Sequence, residues 1–249
     1  MDNQNKFKAT FRNLDVNIKT RLKDREVILL ISPDHDYHEG EKLQSIINLI
    51  NNTNFQKCCV VIGDTNYRHT LSITSQNNTE KMLYSEAKRI GDNWIERNTH
   101  FLISLQVPYK ITRWDEWLNH PHYQEQRTNF EEIYKKSSFL QKAFYQSALS
   151  FVNRFADSSS SSIVVSQEEA INFSIDYLKE ECIIIMPMWA ELGIDTIIYP
   201  NKMLDAMKAT YEQLVVPTYG NNLLWLTLRF KRYYSQDFVK EPPEMTVDC

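Results

Sequence analysis

Glycine is scarce in this chain, 5 residues in 249, and none sits in a phosphate-cradling loop or in the glycine-rich fingerprint of dinucleotide sites. Chemistry that needs ATP or NAD is disfavoured, and no cofactor is expected. The 4 cysteines, Cys58, Cys59, Cys182 and Cys249, lack the spacing of a zinc site, a redox dithiol or a disulfide framework. No metal is expected, and a reducing compartment fits. No apolar run is long enough to span a bilayer, and Met1 to Thr10 has no apolar centre of the kind a secretory signal needs. A cytoplasmic protein with no membrane partner is the expectation. Net basic charge is missing too. At −4, with a pI near 5.9, the chain exerts no global attraction on nucleic acid, so a polyanion would have to use a local basic patch.

What is present is globular material, 42 % hydrophobic and 12 % aromatic, in a length that one core can serve. A single domain over 1–249 is expected, with a polar arm over 1–21 and a loose tail over 236–249. The pattern centres on Val27-Ile28-Leu29-Leu30-Ile31, which runs into Ser32-Pro33-Asp34-His35. A short run of branched residues reads as a strand covered on both faces. Proline denies the ladder a donor, so the strand ends at Ser32 and a helix starts near Glu39. Ligands of open α/β sheets bind beyond the carboxyl ends of the strands. That position makes Ser32 a candidate, although a serine at such a turn is ordinarily only turn chemistry.

Leu43, Ile46, Ile47 and Ile50 recur at helical spacing, and Cys58 to Ile62 is a second buried-type strand ending in Gly63-Asp64-Thr65. Phe101 to Leu105 reads as a third strand, Tyr123 to Phe155 as one or two helices, and Asp195 to Ile198 as another buried strand. Met203 to Leu214 reads as a helix, and Leu224 to Phe230 as a last strand at the sheet's edge. The serines through Ser162 read as a surface loop. The fold class expected is α/β, a doubly wound, mostly parallel sheet with helices on both faces.

Two of the helices carry side chains of interest. After Thr79, the residues Leu83, Ala87, Ile90 and Trp94 share one face, leaving Lys81, Lys88 and Arg89 outside; Glu80, Glu86, Asp92 and Glu96 balance them, as on a solvated face. Ser166-Gln167-Glu168-Glu169 is a capping signature, and Ala170, Phe173, Ser174, Tyr177, Leu178 and Glu181 then form one stripe, with Asp176, Lys179 and Glu180 facing away. A carboxylate on a core-facing stripe must be paired, hydrogen-bonded or turned into a polar cavity. Tyr177 and Glu181 therefore either line a site or are a core tyrosine and a glutamate at a fraying helix end. Tyr199-Pro200 repeats the Ser32-Pro33 pattern, a polar side chain where proline ends a parallel strand.

In this order, the strand ending in Ser32-Pro33-Asp34-His35, the Asp64-Thr65 turn, Asn153-Arg154, Tyr177-Leu178-Lys179-Glu180-Glu181 and Tyr199-Pro200 resemble the cyclodipeptide synthases over essentially the whole chain. The Tyr199-Pro200 form, with His35 in place of asparagine, resembles the tyrosine-proline subgroup. The resemblance implies a domain similar to the catalytic domain of class I tyrosyl- and tryptophanyl-tRNA synthetases, stripped of nucleotide signatures. It implies an aminoacyltransferase that takes two aminoacyl-tRNAs: Ser32 accepts the first aminoacyl group, and a second aminoacyl-tRNA gives a dipeptidyl-enzyme that cyclises to a diketopiperazine. Carried over by position, Ser32, Tyr177, Glu181 and Tyr199 are catalytic. Ile28, Leu30, Val61, Ile184 and Ile197, with Trp114, line the first side-chain pocket, and His35, Asn153 and Pro200 fall among the substrate-binding positions. Leu30 adds bulk there, so a small first amino acid such as alanine or glycine is expected.

The family's tRNA-binding helix is strongly basic, whereas Thr79 to Arg97 is charge-balanced here. Lys81, Lys88, Arg89 and Arg97 are the tRNA candidates, reinforced by Lys135, Lys136 and Lys142, and a monomer is expected. Two other classes stay open. A serine hydrolase or acyltransferase on small esters would want a Gly-x-Ser-x-Gly elbow and a late histidine, and neither is present. A non-catalytic tRNA-binding module would tolerate the loss of Ser32.

Overall fold

The computed structural model describes residues 6–12, 14–75, 78–157 and 162–233. In chain order these form β1 (Lys6–Phe11), α1 (Val16–Arg21), β2 (Glu26–Ile31), α2 (Gly40–Thr53), β3 (Lys57–Ile62), α3 (Arg68–Thr74) and α4 (Glu80–Leu102). Then follow β4 (Tyr109–Arg113), α5 (Trp114–Leu118), α6 (Tyr123–Lys136), α7 (Ser138–Asp157) and α8 (Gln167–Ile183). The chain continues through α9 (Trp189–Glu191), β5 (Thr196–Ile198), α10 (Asp205–Thr210), α11 (Val216–Tyr219), β6 (Leu224–Leu226) and β7 (Leu228–Tyr233). Two π-helical segments, Ile184–Met188 and Tyr211–Val215, extend α8 and α10.

Five strands form a parallel sheet in the order β4-β3-β2-β5-β6, an α/β Rossmann-like arrangement with helices on both faces. β2 lies in the middle and alternates between two cores, which is why its run of apolar residues is unbroken. Val27, Leu29 and Ile31 join the helical residues Leu43, Ile46, Ile47, Ile50 and Trp94 on one face. Ile28 and Leu30 join Val61, Trp114, Phe144, Leu178, Ile184 and Ile197 on the other. Successive strands run outward from β2 to β4, then the chain crosses to β5 and runs the other way. The order therefore reverses between β2 and β5, and the carboxyl ends of those two strands flank the crevice where such sheets bind ligands.

Four expectations need correction. The arm expected over 1–21 is not irregular over its described residues: β1 pairs antiparallel with β7, Lys8 opposite Lys231 and Ala9 opposite Phe230. Phe7, Ala9 and Phe11 alternate with polar residues, and this period of two turns one face of the ribbon onto α2 and its core. Phe101 to Leu105 is not a strand. Trp94, Asn98 and Leu102 keep α4 helical through that stretch, and the third strand is β4, beyond Pro108. The last strand divides at Thr227: β6 closes the sheet's edge as expected, while β7 leaves it to pair with β1. Finally, the helical pattern expected to end at Phe155 runs on to Asp157. The expected tail over 236–249 and most of the serine loop before Ser162 lie outside the described residues.

Candidate active site

Ser32 follows the last residue of β2, and the His35 N–H donates to the Ser32 carbonyl at 3.1 Å, closing the turn around buried Pro33. Tyr199 follows the last residue of the neighbouring strand, β5. The two hydroxyls, Ser32 Oγ and Tyr199 Oη, are 3.1 Å apart, and either can donate. Two polar residues that stop adjacent parallel strands at the same level thus meet at the point where the sheet order reverses.

A residue that sequence reasoning passed over holds the serine in place. The Ser32 backbone N–H donates to Nδ1 of His38 at 3.0 Å. His38 is fully buried, and burial, with the nearby His35, pushes its pKa down to about 3 against opposing contributions from the Ser32 carbonyl, 3.3 Å from Nδ1, and from Asp36. A neutral ring that accepts at Nδ1 carries its hydrogen on Nε2, which has no partner among the described residues. Trp94 of α4 donates to the His38 carbonyl at 2.9 Å, and the His38 ring stands 5.8 Å from that of Tyr199. Because His38 occupies the Ser32 N–H, that amide is not available to a developing oxyanion, and the Tyr199 hydroxyl is the donor at hand.

Helix α8 begins with the expected capping box, Ser166 with Glu169, and carries Tyr177 and Glu181 one turn apart. The Tyr177 hydroxyl lies close enough to favour the charged form of Glu181. Both are crowded by protein yet keep some solvent contact. Burial pushes Glu181 up to about 8; the nearby Tyr177 hydroxyl opposes this and the Glu180 charge adds to it. Burial and Glu181 likewise raise Tyr177 well above the usual phenol range. Tyr199 is raised by burial; the Ser32 bond opposes this, and the Glu181 and Asp34 charges add to it. One carboxyl therefore acts on both phenols, and Ser32 touches one of them.

Six residues expected to line a side-chain pocket, Ile28, Leu30, Val61, Trp114, Ile184 and Ile197, are all buried in the single apolar cluster against which Tyr177 and Tyr199 pack. Pro200 is buried directly after Tyr199, whereas His35 and Asn153 are exposed. Glu180 departs from expectation. It does not face away from the core, because α8 is covered by both α3 and α7 and its buried surface is wider than one stripe. Arg68 and Trp114 bind its carboxylate instead.

The candidate polyanion contacts on α4 are already engaged. Lys88 donates to Asp115 at 3.3 Å, Arg89 to Glu86 at 2.8 Å and Arg97 to Glu39 at 2.7 Å, while Lys81 is exposed. Lys135, Lys136 and Lys142 are exposed on α6 and α7. A denser patch lies on the β1–β7 ribbon, where Lys8, Arg12, Arg229, Lys231 and Arg232 are exposed and no acidic residue intervenes. Tyr37, in the turn after Ser32, stacks on Phe230 at 5.7 Å, on the ribbon face opposite to Lys8, Arg229 and Lys231. Among the described residues no cluster of His, Cys, Asp and Glu is arranged to hold a metal ion, and no helix is long and apolar enough to cross a membrane.

No family model and no curated protein sequence matches the chain. Solved structures do. A cyclodipeptide synthase from Fluoribacter dumoffii is 34 % identical, with a TM-score of 0.83 over 92 % of this chain and 100 % of that one. A cyclodipeptide synthase from Candidatus Glomeribacter gigasporarum, solved bound to Phe-tRNAPhe, is 22 % identical with a TM-score of 0.66 over 88 % and 93 %. A cyclo(L-leucyl-L-phenylalanyl) synthase is 12 % identical with a TM-score of 0.66 over 91 % and 99 %.

Proposed function

The chain belongs to the cyclodipeptide synthase family, and from that premise we propose that it joins two amino acids, each delivered as an aminoacyl-tRNA, into a 2,5-diketopiperazine through a covalent link to Ser32. The observation that carries this reading is the 3.1 Å contact between Ser32 and Tyr199 at the reversal point of the sheet. The Tyr199-Pro200 pair and His35 favour the tyrosine-proline subgroup.

The reaction begins when Ser32 Oγ attacks the ester carbonyl of the first aminoacyl-tRNA. The Ser32 proton passes to the departing ribose oxygen, Tyr199 donates to the oxyanion, and an aminoacyl-serine ester forms. The ester bond to tRNA already stores the energy for acyl transfer, so the protein supplies position and proton handling. For a dipeptidyl-enzyme to follow, the amine of the Ser32-bound aminoacyl group attacks the ester of the second aminoacyl-tRNA. Attack in the opposite sense would leave the dipeptide on tRNA. The new terminal amine then attacks the Ser32 ester, closing the ring and restoring the serine.

The second and third attacks each need a neutral amine, and Glu181 is suited to take the proton. A carboxyl held at about 8 in the empty site matches the α-amino range near 8, so proton exchange between the two is nearly balanced. Tyr177, one turn before Glu181 on α8, holds the same amino group. Ile28, Leu30, Val61, Trp114, Ile184 and Ile197 receive the first side chain. The phosphates face the basic β1–β7 ribbon, with Lys81, Lys88, Arg89 and Arg97 of α4 as a secondary contact. The relative solved with Phe-tRNAPhe is the precedent for this partner. Mass spectrometry of medium from cells expressing the wild type and Ser32→Ala tests the proposal. A diketopiperazine is expected in the first and none in the second; equal amounts in both would sink it.

A further inference from the structure

Glu180 is a buried carboxylate that the proposed chemistry does not use. Its side chain is 8 % exposed. Arg68 Nη1 donates to Oε1 at 2.9 Å and the second guanidinium nitrogen reaches Oε2. His69 Nε2 is 3.5 Å from Oε2, and the Trp114 indole N–H donates to Oε1 at 2.9 Å. Arg68 in turn donates to the Thr65 carbonyl at 2.9 Å, which ties the group to the turn after β3. Burial alone would favour the neutral carboxylic acid, but the bonds from His69 and Arg68 outweigh it and hold the pKa at about 2.

A buried ion pair is a weak source of stability compared with apolar packing, so its presence calls for a role in orienting something. The Trp114 indole is that object. It is 1 % exposed, its N–H is its only polar group, and its ring shares the apolar cluster with Leu30, Val61, Ile184 and Ile197. Turning the ring would leave a buried donor and a buried carboxylate oxygen short of a partner.

We propose that Glu180 is a specificity-determining positioning residue: by gripping the Trp114 indole, it fixes the size of the pocket that receives the side chain of the first aminoacyl group. This rests on the proposed synthase reading and extends it, since it assigns selection to a residue outside the pocket lining. Glu180→Gln leaves every pocket-lining side chain unchanged but trades one accepting oxygen for an NH2 that faces the donors Arg68, His69 or Trp114, so a change in side-chain preference reports the indole.

The experiment loads purified enzyme from an equimolar mixture of alanyl-, leucyl- and phenylalanyl-tRNA and reads, by intact-protein mass spectrometry, which aminoacyl groups are attached to Ser32. In Glu180→Gln the ratio among the three is expected to change by about tenfold, the scale on which an apolar pocket senses a methylene or two. In a Trp114→Phe background, where the indole N–H is gone, Glu180→Gln is expected to change the ratio no further. Should Glu180→Gln not fold, Arg68→Lys, which loses the two-pronged grip on Glu180, replaces it in the same cycle. A merely structural role would lower all three adducts together, and an unchanged ratio overturns the inference. A wild type that carries no aminoacyl group on Ser32 overturns the proposed function and this inference with it; a labelled wild type with unmoved variant ratios overturns this inference alone.

Discussion

Ser32 gives its backbone N–H to Nδ1 of His38 across 3.0 Å, and its hydroxyl lies 3.1 Å from Tyr199. The proposed nucleophile is thus held at two points, one of them a neutral imidazole six positions along the same loop. His38→Asn places an amide oxygen near the position of Nδ1, whereas His38→Leu leaves the Ser32 N–H buried without an acceptor, a loss of about 1–3 kcal/mol. His38→Asn should keep most of the rate of Ser32 acylation in single-turnover assays. His38→Leu should lose at least about tenfold in that rate, with the concentration of aminoacyl-tRNA at half-saturation unchanged. Equal rates in the two variants would show that His38 does not position the serine.

Glu181 makes stability depend on pH with a definite sign. Its carboxyl is raised in the folded protein to about 8, from an ordinary value of 4.5. The fold therefore favours the protonated form, and the associated stability is fully present below about pH 4.5 and lost as pH rises through about 8. Glu181→Gln removes this dependence. The variant should melt at the same temperature as the wild type near pH 5 and above it at pH 9, while diketopiperazine formation is lost. A melting difference that does not grow between those pH values would contradict the buried, protonated state.

The sheet and the ends of its strands were legible because their signals are local. A strand covered on both faces must be apolar throughout, and Pro33 and Pro200 mark where the ladder stops, so Ser32 and Tyr199 could be found and paired. Glu180 was misplaced because its partners, Arg68 and Trp114, come from other segments, and a helix covered from two sides does not obey a single stripe. The ribbon strand β1 was missed although Phe7, Ala9 and Phe11 alternate. Its partner β7 lies at the far end of the chain, and charged residues between the apolar ones read as an arm when no partner is in view. His38 gave no periodic signal, since its role depends on the path of the loop.

Gly91 lets α4 approach the sheet. A Cβ there would collide with the Asp64 carboxylate and with the Arg113 guanidinium that pairs with it. Asp64 is fully buried at the end of β3, and Arg113 Nε also donates to it at 2.7 Å. Helix propensity alone predicts that Gly91→Ala stabilises by about 1 kcal/mol. Forcing apart a buried ion pair costs roughly 3–5 kcal/mol, so the sign reverses. Gly91→Ala should lower the melting temperature by about 5–10 °C, and a rise would show that α4 shifts freely.

Lys8 and Lys231 stand directly opposite each other in the β1–β7 pair, with Arg229 opposite Thr10. Like charges facing across a ladder destabilise it, so a ribbon that keeps them gains from a polyanion laid over it. By contrast, Lys88 and Arg89 already face Asp115 and Glu86. Replacing Lys8, Arg229 and Lys231 together by alanine should weaken binding of aminoacyl-tRNA and make the dependence of log affinity on log salt shallower by roughly two to three. Replacing Lys88 and Arg89 should change that slope by less than one. The ribbon variant should melt no lower than the wild type, because the repulsion is gone, and this separates lost contacts from lost folding. If instead the α4 variant shows the larger change in slope, the phosphates lie along the helix and the ribbon's charge serves another purpose.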